Sequence, residues 1–435
     1  MRWFLGAAAI LLVALVFNLG LLAYAMYALL GTMLAGRLLA RQWSEGLAAS
    51  RECNRLTANI GDTVAVVINV ENRGKLPVAW VLLEDLLARH ALLPPPPRLA
   101  VQGRRLQLTM LKSQGRKTLL YQLHCRGRGY FQIGPLVLET GDLLGLHRRY
   151  RVVTEPHFLL VYPDVVTLEG WDIASRRPIG EVRVTHRLYE DPTRIAGVRQ
   201  YQRGDPLNRI HWKATARTGV LHSKVYEPST IAGATLLLDF HAASYPERYE
   251  PYRSELAVSA AASLANAVYE MGQQIGLATN GRDAADRIRQ EGWDSDPRSR
   301  REARRSASMI AHSDRLQPLV VPTRRGPEQF MRILETLARI ELTDGLTLAE
   351  LVTETASRLP RDATVVAILP TVTETAAVAL GSLRRRGFAV TAIVNTYEPH
   401  DYAVAAGRLM AEYIDVRHLK DKDGLATVCR DYVLR

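Results

Sequence analysis

The stretch RQYQRGDPLNRIHWKATARTGVLHSKVYEPS, from Arg199 to Ser229, gathers the side chains with the richest chemistry. Asp205, His211 and Arg217 supply a carboxylate, an imidazole and a guanidinium, the set an enzyme would use as acid, base and anion clamp. Arg199, Arg209, Lys213 and Arg217 are donors suited to a phosphate or carboxylate, and Trp212 adds an aromatic face for a cation or a ring. The same residues fit a ligand or partner surface. They also fit an internal network in which Asp205 pairs an arginine and Trp212 fills the joint between two domains, because buried charges need partners. Gly204 tolerates unusual backbone angles, Asp205 can cap a helix and Pro206 suits its first turn, so a short helix is expected there. From Val220 to Glu227 the pattern alternates and predicts a strand.

Elsewhere the chemistry thins out. Cys53, Cys125 and Cys429 are far apart, which excludes a paired-cysteine zinc site, a CxxC redox motif and a disulfide framework. His124 and Cys125 are neighbours on an expected strand and so point to opposite faces, making Cys125 a structural residue. His241 has no second histidine or cysteine at ligand spacing. The sequence contains no GxxxxGK[ST], GxSxG or HExxH motif, so nucleotide hydrolysis by the chain itself is not expected.

These residues must be positioned by 435 amino acids, enough for two or three domains, with 47% apolar and 23% charged residues. That composition excludes a disordered or collagenous chain. A net charge of +12 and a pI near 9.7 suit nucleic-acid phosphates or anionic lipid, and the N-terminus favours lipid. From Trp3 to Gly36 the only ionisable side chains are tyrosines. One helix of that length would measure about 50 Å against a hydrocarbon core of about 30 Å, so the run must either tilt strongly as one span or fold back as two short ones, and a transmembrane hairpin reversing at Asn18 to Gly20 is the favoured expectation. A secretory leader cut after Ala23-Tyr24-Ala25 is the competing reading, but the apolar run continues beyond that point. Arg37, Arg41, Arg51 and Arg55 outnumber Glu45 and Glu52 just after the run, which places the bulk of the chain in the cytoplasm at the cell membrane.

Four segments are expected: a transmembrane segment at 1–44, an antiparallel immunoglobulin-like β-sandwich at 45–165, the signature at 166–232 and an α/β domain at 233–435. The sandwich rests on short alternating runs at Val64 to Val70, Val78 to Glu84, Arg104 to Leu111, Lys117 to Cys125 and Phe131 to Glu139, with the proline run Pro94 to Pro97 excluded from any strand. After Gly233, apolar strands at Ala234 to Asp239, Ile275 to Thr279, Thr364 to Leu369 and Phe388 to Val394 alternate with helical patterns. The helices are expected at Tyr252 to Met271, Pro327 to Ile340, Leu346 to Leu359 and Glu374 to Arg386, which implies a mainly parallel sheet. Asp283 to Arg315 reads as a solvated insertion; its run Arg298, Arg300, Arg301, Arg304 and Arg305 lacks the aromatic residues that stack on bases, so no nucleic acid is expected.

Arg199, Tyr201, Gly204, Asp205, Ile210, His211, Trp212, Thr215, Ala216, Arg217 and Gly219 resemble the pattern R-x-Y-x-x-G-D-x-x-x-x-I-[DH]-W-x-x-[ST]-A-R-x-G of the bacterial family called domain of unknown function 58. The segment RGRGYFQIGPLVLETGDLLGL, from Arg126 to Leu146, also resembles the family's closing β segment. The resemblance implies a von Willebrand factor A-like C-terminal domain and a MoxR-type AAA+ ATPase as partner, and hence a non-catalytic membrane-anchored scaffold in the assembly or maturation of cell-envelope or other complexes. Such domains commonly hold Mg²⁺ on Asp-x-Ser-x-Ser plus a threonine and an aspartate. Here Asp239-Phe240-His241-Ala242-Ala243 lacks both hydroxyls, leaving Asp239, Thr279 and Thr371 as weak oxygen donors, so no cofactor is expected. The family's acceptance of Asp at the His211 position also argues against the alternative of a membrane-bound enzyme using Asp205, His211 and Arg217.

Overall fold

The computed structural model describes residues 2–92, 96–142, 145, 147–168, 190–202, 210–228, 233–291, 316–360 and 363–429. The chain divides into two compact units. One is Met1–Val165 with Gly281–Gln317 and Arg332–Gly345; the other is Val166–Asn280 with Pro318–Met331 and Leu346–Arg435. The segment after residue 233 is therefore not one unbroken unit as expected, because two stretches of it group with the N-terminal part.

The first unit begins with α1 (Arg2–Val16) and α2 (Gly20–Gly46), separated by a turn in which Asn18 takes φ 54°. The reversal falls where the polar asparagine interrupts the apolar run. The two helices pack on each other, with the small side chains of Ala7, Ala14 and Ala23 among the buried residues. Among the described helices α2 is the one long and apolar enough to cross a membrane, whereas α1, with 15 residues, falls short of the roughly 17 that spanning requires.

Helix α2 runs without a linker into β1 (Leu47–Cys53). Its last turns pack on the β structure: Ala40 and Trp43 are buried, and a Cβ at Gly36 would come within 2.8 Å of the Asp142 carboxylate. A helix end leaves carbonyls without intrahelical donors. Arg151 Nη1 supplies one, donating to the carbonyls of Ser44 at 2.8 Å, Glu45 at 3.2 Å and Leu47 at 3.3 Å.

The strands that follow are β2 (Thr57–Asn59), β3 (Thr63–Asn72), β4 (Val78–Leu87), β5 (Leu99–Gly103), β6 (Leu106–Leu111), β7 (Arg116–Cys125), β8 (Gly129–Gly141), β9 (Arg148–Val152) and β10 (His157–Tyr162), with a short helix α3 (Arg89–Leu92) after β4. They form two sheets, β1-β3-β7-β5 and β2-β10-β8-β4-β6, with β9 paired to β8; every pairing is antiparallel except β2 with β10. Alternation decides which face is buried: Val64, Val66, Ile68 and Val70 of β3 point into the core, with Tyr121 and Leu123 of β7 and Leu83, Phe131, Ile133 and Leu138 from the other sheet. The single strand expected at Arg104 to Leu111 is only β6; the strand before it, β5, ends at Gly103.

At the centre of this unit sits a charge pair. Arg51, on β1, is in contact with Asp85, on β4, and both side chains are essentially inaccessible. Arg51 Nε donates to Asp85 Oδ2 at 3.3 Å, Arg51 Nη1 donates to the Glu155 carbonyl at 2.8 Å, and Tyr121 Oη donates to Asp85 Oδ2. Burial pushes the Asp85 carboxyl up, while Arg51 and the Tyr121 hydroxyl pull the other way. Gly134 sits against the guanidinium with φ 87°; a Cβ there would collide with it. Arg51 is thus withdrawn from the membrane-flanking arginines that the sequence suggests, and Arg55 pairs with Asp62 at 3.1 Å.

In the second unit β11 (Glu190–Gln200) pairs with β12 (His222–Pro228), and α4 (Trp212–Thr218) lies between them in sequence. The main sheet has the order β16-β14-β13-β18-β19-β20, built from β13 (Gly233–Leu238), β14 (Gln274–Thr279), β16 (Leu319–Arg324), β18 (Ala363–Leu369), β19 (Val390–Val394) and β20 (Asp415–His418). All neighbours are parallel except β16, which is antiparallel to β14. The central strands β13, β18 and β19 are buried along their whole length, as a sheet covered on both faces requires. Chain order along the second half of the molecule is α5 (Tyr252–Glu270), β15 (Arg282–Asp283), α6 (Ala284–Glu291), β16, α7 (Pro327–Arg339), β17 (Ile340–Glu341), α8 (Leu348–Thr355), β18, α9 (Glu374–Arg385), β19, α10 (Pro399–Ala411) and β20. The short β15 and β17 pair with each other in the first unit. The solvated insertion expected after Asp283 opens instead with β15 and α6; the arginines at 298, 300, 301, 304 and 305 lie outside the described residues.

Removing one member of the Arg51–Asp85 pair leaves the other buried without its counter-charge. Asp85→Asn is expected to cost about 3–5 kcal/mol in chemical denaturation, and the double change Arg51→Met with Asp85→Leu to recover most of that loss. Gly134→Ala is expected to destabilise by about 2 kcal/mol or more through its backbone angle and the collision with Arg51. A neutral Asp85→Asn would remove the pair from its central place.

Candidate functional site

The signature folds into a small β-α-β module. Ile210 bridges to Ser223, and the His211 N–H donates to the His222 carbonyl at 2.8 Å, which brings the start of α4 against the start of β12. His211 is the N-cap: its Nδ1 accepts the Ala214 N–H at 3.0 Å. At the other end Gly219 takes φ 71°, a left-handed position that closes the helix through its N–H to the Thr215 carbonyl at 2.9 Å. Thr215 Oγ1 then accepts the His222 N–H at 3.1 Å, and Thr218 Oγ1 lies 3.1 Å from His222 Nδ1. A helix of seven residues with a cap at each end is held by these bonds, since none of its residues is buried.

This geometry assigns the sequence-predicted residues different fates. His211 spends its Nδ1 lone pair on a backbone N–H, and that is a role an aspartate performs as well, which accounts physically for Asp or His at this position in the pattern. The Nδ1 lone pair is thus engaged in the cap of the helix. Trp212 is 69% exposed, so it does not fill a core, and Lys213 and Arg217 of the same helix are exposed as well. Val198, Val220 and Leu221 are also exposed, around the ends of the two strands. Tyr201 joins the module through its N–H to the Leu221 carbonyl at 2.8 Å, and Arg199 Nη1 donates to the Gln200 carbonyl at 3.2 Å. Gly204, Asp205 and Arg209, together with the helix expected after Gly204, lie outside the described residues. The described helix starts later, at Trp212.

The second candidate is the crevice at the carboxyl ends of the parallel strands. The chain leaves β13 toward β14 on one side and continues from β18 toward β19 on the other, so the strand order reverses between β13 and β18, where ligands of open α/β sheets commonly bind. Asp239 follows β13 there and is buried. Its Oδ1 accepts from Asn280 Nδ2 at 2.9 Å and from the His241 N–H at 3.2 Å, and Ser244 also donates to the carboxylate. Asn280 in turn accepts the Phe240 N–H at 2.6 Å and donates to the Leu346 carbonyl at 2.8 Å. Burial pushes the Asp239 carboxyl up, and the Asn280 and Ser244 bonds oppose that shift. Asp239 therefore faces hydrogen-bond donors, the opposite of what a cation requires; Thr279 is buried one residue before Asn280, and Thr371 is exposed after β18. Among the described residues no three His, Cys, Asp or Glu side chains converge as metal ligands. Sequence reasoning missed Asn280, whose role appears only when the ends of β13 and β14 are side by side. His241, considered as a transition-metal ligand, instead accepts the Ala243 N–H on Nδ1 at 3.2 Å.

Two outcomes follow for this crevice. Asn280→Ala removes three hydrogen bonds and is expected to cost about 2–4 kcal/mol. Because the folded Asp239 carboxyl takes up a proton more readily than the unfolded one, stability falls as pH rises from the ordinary carboxylate range through the raised value; losing the Asn280 donor raises it further and widens that fall, as denaturation at a series of pH values would record. Millimolar Mg²⁺ is expected to leave the melting temperature unchanged.

Residues 197–294 match the family described as "Protein of unknown function DUF58". The chain is 27% identical over 261 residues to "Uncharacterized protein YeaD" of Bacillus subtilis (strain 168), an alignment covering 60% of this chain and 62% of that protein. Among solved structures, proximal thread matrix protein 1 from the mussel byssus aligns at 9% identity over 45% of this chain and 44% of its own, with TM-score 0.29. The CARDB domain of PF1109 from Pyrococcus furiosus aligns at 11% identity over 26% of this chain and 91% of its own, with TM-score 0.17. Those scores carry no fold assignment. The family match opens within β11 and takes in the whole α4 module, so the likeness to the DUF58 family rests on that module, and the similarity to YeaD extends over 261 residues.

Proposed function

We propose that this chain is a non-catalytic, membrane-anchored scaffold whose α4 module docks a partner protein. The observation that carries the reading is the exposure of Trp212 at 69% on a helix with no buried residue, which also carries the exposed cations Lys213 and Arg217. An exposed tryptophan costs solvation unless something covers it, and Trp and Arg are the residue types that dominate protein interfaces. The capping role of His211 supports the non-enzymatic side of the reading.

The first unit is then an immunoglobulin-like sandwich hung from α2 in the cell membrane, and the second a von Willebrand factor A-like domain without its metal. Arg37 and Arg41, both exposed on the last turns of α2, support a cytoplasmic side for the bulk of the chain through the positive-inside bias. The partner brought in by family resemblance is a MoxR-type AAA+ ATPase, with the assembly or maturation of cell-envelope or other complexes as the setting. The aligned region spans about 62% of YeaD, so these assignments concern this chain alone.

Capture of the tagged full chain from detergent-solubilised native membranes is expected to co-purify an AAA+ protein. Trp212→Ala combined with Lys213→Glu is expected to reduce that recovery by about tenfold or more, while the amount of chain in the membrane fraction stays unchanged. Recovery of no AAA+ protein, or equal recovery by the variant, overturns the reading. Protease added to sealed inverted vesicles is expected to digest everything beyond α2, and protection there would place the bulk on the other side.

A further inference from the structure

Two loops of the first unit are fixed to the carbonyl end of α2. The Arg73 N–H donates to the Gly46 carbonyl at 2.8 Å. Asn72 Nδ2 donates to the Leu76 carbonyl at 2.9 Å and to the Lys112 carbonyl at 3.0 Å, Ser113 Oγ donates to the Gly74 carbonyl at 3.2 Å, and Gln114 Nε2 donates to the Arg73 carbonyl at 3.1 Å. The β3–β4 loop and the β6–β7 loop are thus one polar-bonded rim at the place where the apolar helix enters the sheet.

The outward side chains of that rim are Arg73, Lys75, Lys112 and Arg116, all exposed. Arg116 and Arg73 share Glu71, at 3.1 Å and 3.6 Å, whereas Lys75 and Lys112 have no ion pair among the described residues. Close to these cations in sequence are two exposed large apolar side chains, Leu76, next to Lys75, at 43% and Met110, two residues before Lys112, at 74% exposure. On α2 itself Arg37 and Arg41 are exposed, with Glu45 paired to Arg41 at 3.0 Å, and Asp142 beside Gly36 is buried.

We propose that this rim is a lipid-binding surface, with Lys75, Lys112 and Arg116 against the phosphates of anionic headgroups and Leu76 and Met110 at the acyl boundary. The inference rests on the reading of α2 as a membrane span. A cationic rim tied to a span is held within reach of headgroups, where each lysine or arginine strengthens attachment by about fivefold. The alternation of cation and exposed apolar side chain suits the interface between headgroup and acyl chain, which accepts both.

The test uses the full chain in nanodiscs of phosphatidylcholine alone and of phosphatidylcholine with phosphatidylglycerol, with amide hydrogen exchange as the readout. Exchange in 73–77 and 112–116 is expected to slow by about fivefold or more in the anionic discs, and about 1 M salt is expected to erase the difference. Lys75→Glu with Lys112→Glu is expected to abolish the slowing while the core amides of β3 and β7 keep their protection. Incorporation into both discs with equal exchange in the two loops overturns the lipid rim and leaves the anchor standing. Failure to incorporate into either disc overturns both.

Discussion

The β unit depends on one buried charge pair. Arg51 and Asp85 come from strands in different sheets, and the tyrosine that joins them, Tyr121, comes from a third strand. A pair of charges taken out of water contributes little net stability, but its hydrogen bonds demand one geometry. Three strands and a glycine must be in register for the guanidinium and the carboxylate to find each other. The pair therefore acts as a register pin for a sandwich whose remaining core is apolar and non-directional.

The second unit uses polar contacts differently. Asn280 ties the end of β13 to that of β14 and to the carbonyl of Leu346, so the crevice at the strand reversal is closed by amide and carboxylate bonds. Arg253 does similar work farther along the sheet, donating to Asn395 at 2.9 Å and to the Lys420 carbonyl at 2.8 Å. The edge of the sheet that in ligand-binding α/β folds carries loops open to a substrate is here occupied by its own side chains. The outward-facing chemistry is instead on the small α4 module, where the residues are held by backbone caps and left uncovered.

Much of the fold was legible. Strand β3 showed itself through Val64, Val66, Ile68 and Val70, and the parallel strands β13, β14 and β18 through unbroken apolar runs bounded by polar residues. Strand β1 was not, because LAASREC has no alternation and begins where a helical pattern has not yet ended. Strand β8 was expected at Phe131 to Glu139 and extends from Gly129 to Gly141; it is buried almost throughout because α2 and its neighbouring strands cover it. Helix α4 carries no apolar stripe; the short helix was expected from Asp205, and its start at Trp212 is set by the His211 cap, a local bond that composition does not reveal. Arg51 read as one more basic residue after an apolar run. Its partner Asp85 lies 34 residues along the chain, and only the stacking of the two sheets brings them together.

The absence of a linker between α2 and β1 has a mechanical meaning. Arg151 clamps the carbonyls on both sides of the junction, so the 27-residue helix and the sandwich turn as one body. A hydrophobic segment adjusts to a thinner or thicker bilayer by leaning. In a tethered domain on a flexible stalk that lean would dissipate in the stalk. With α2 as the proposed membrane span, that lean would swing the sandwich through the same angle, so bilayer thickness would set the bearing of the sandwich much as a tiller sets a rudder.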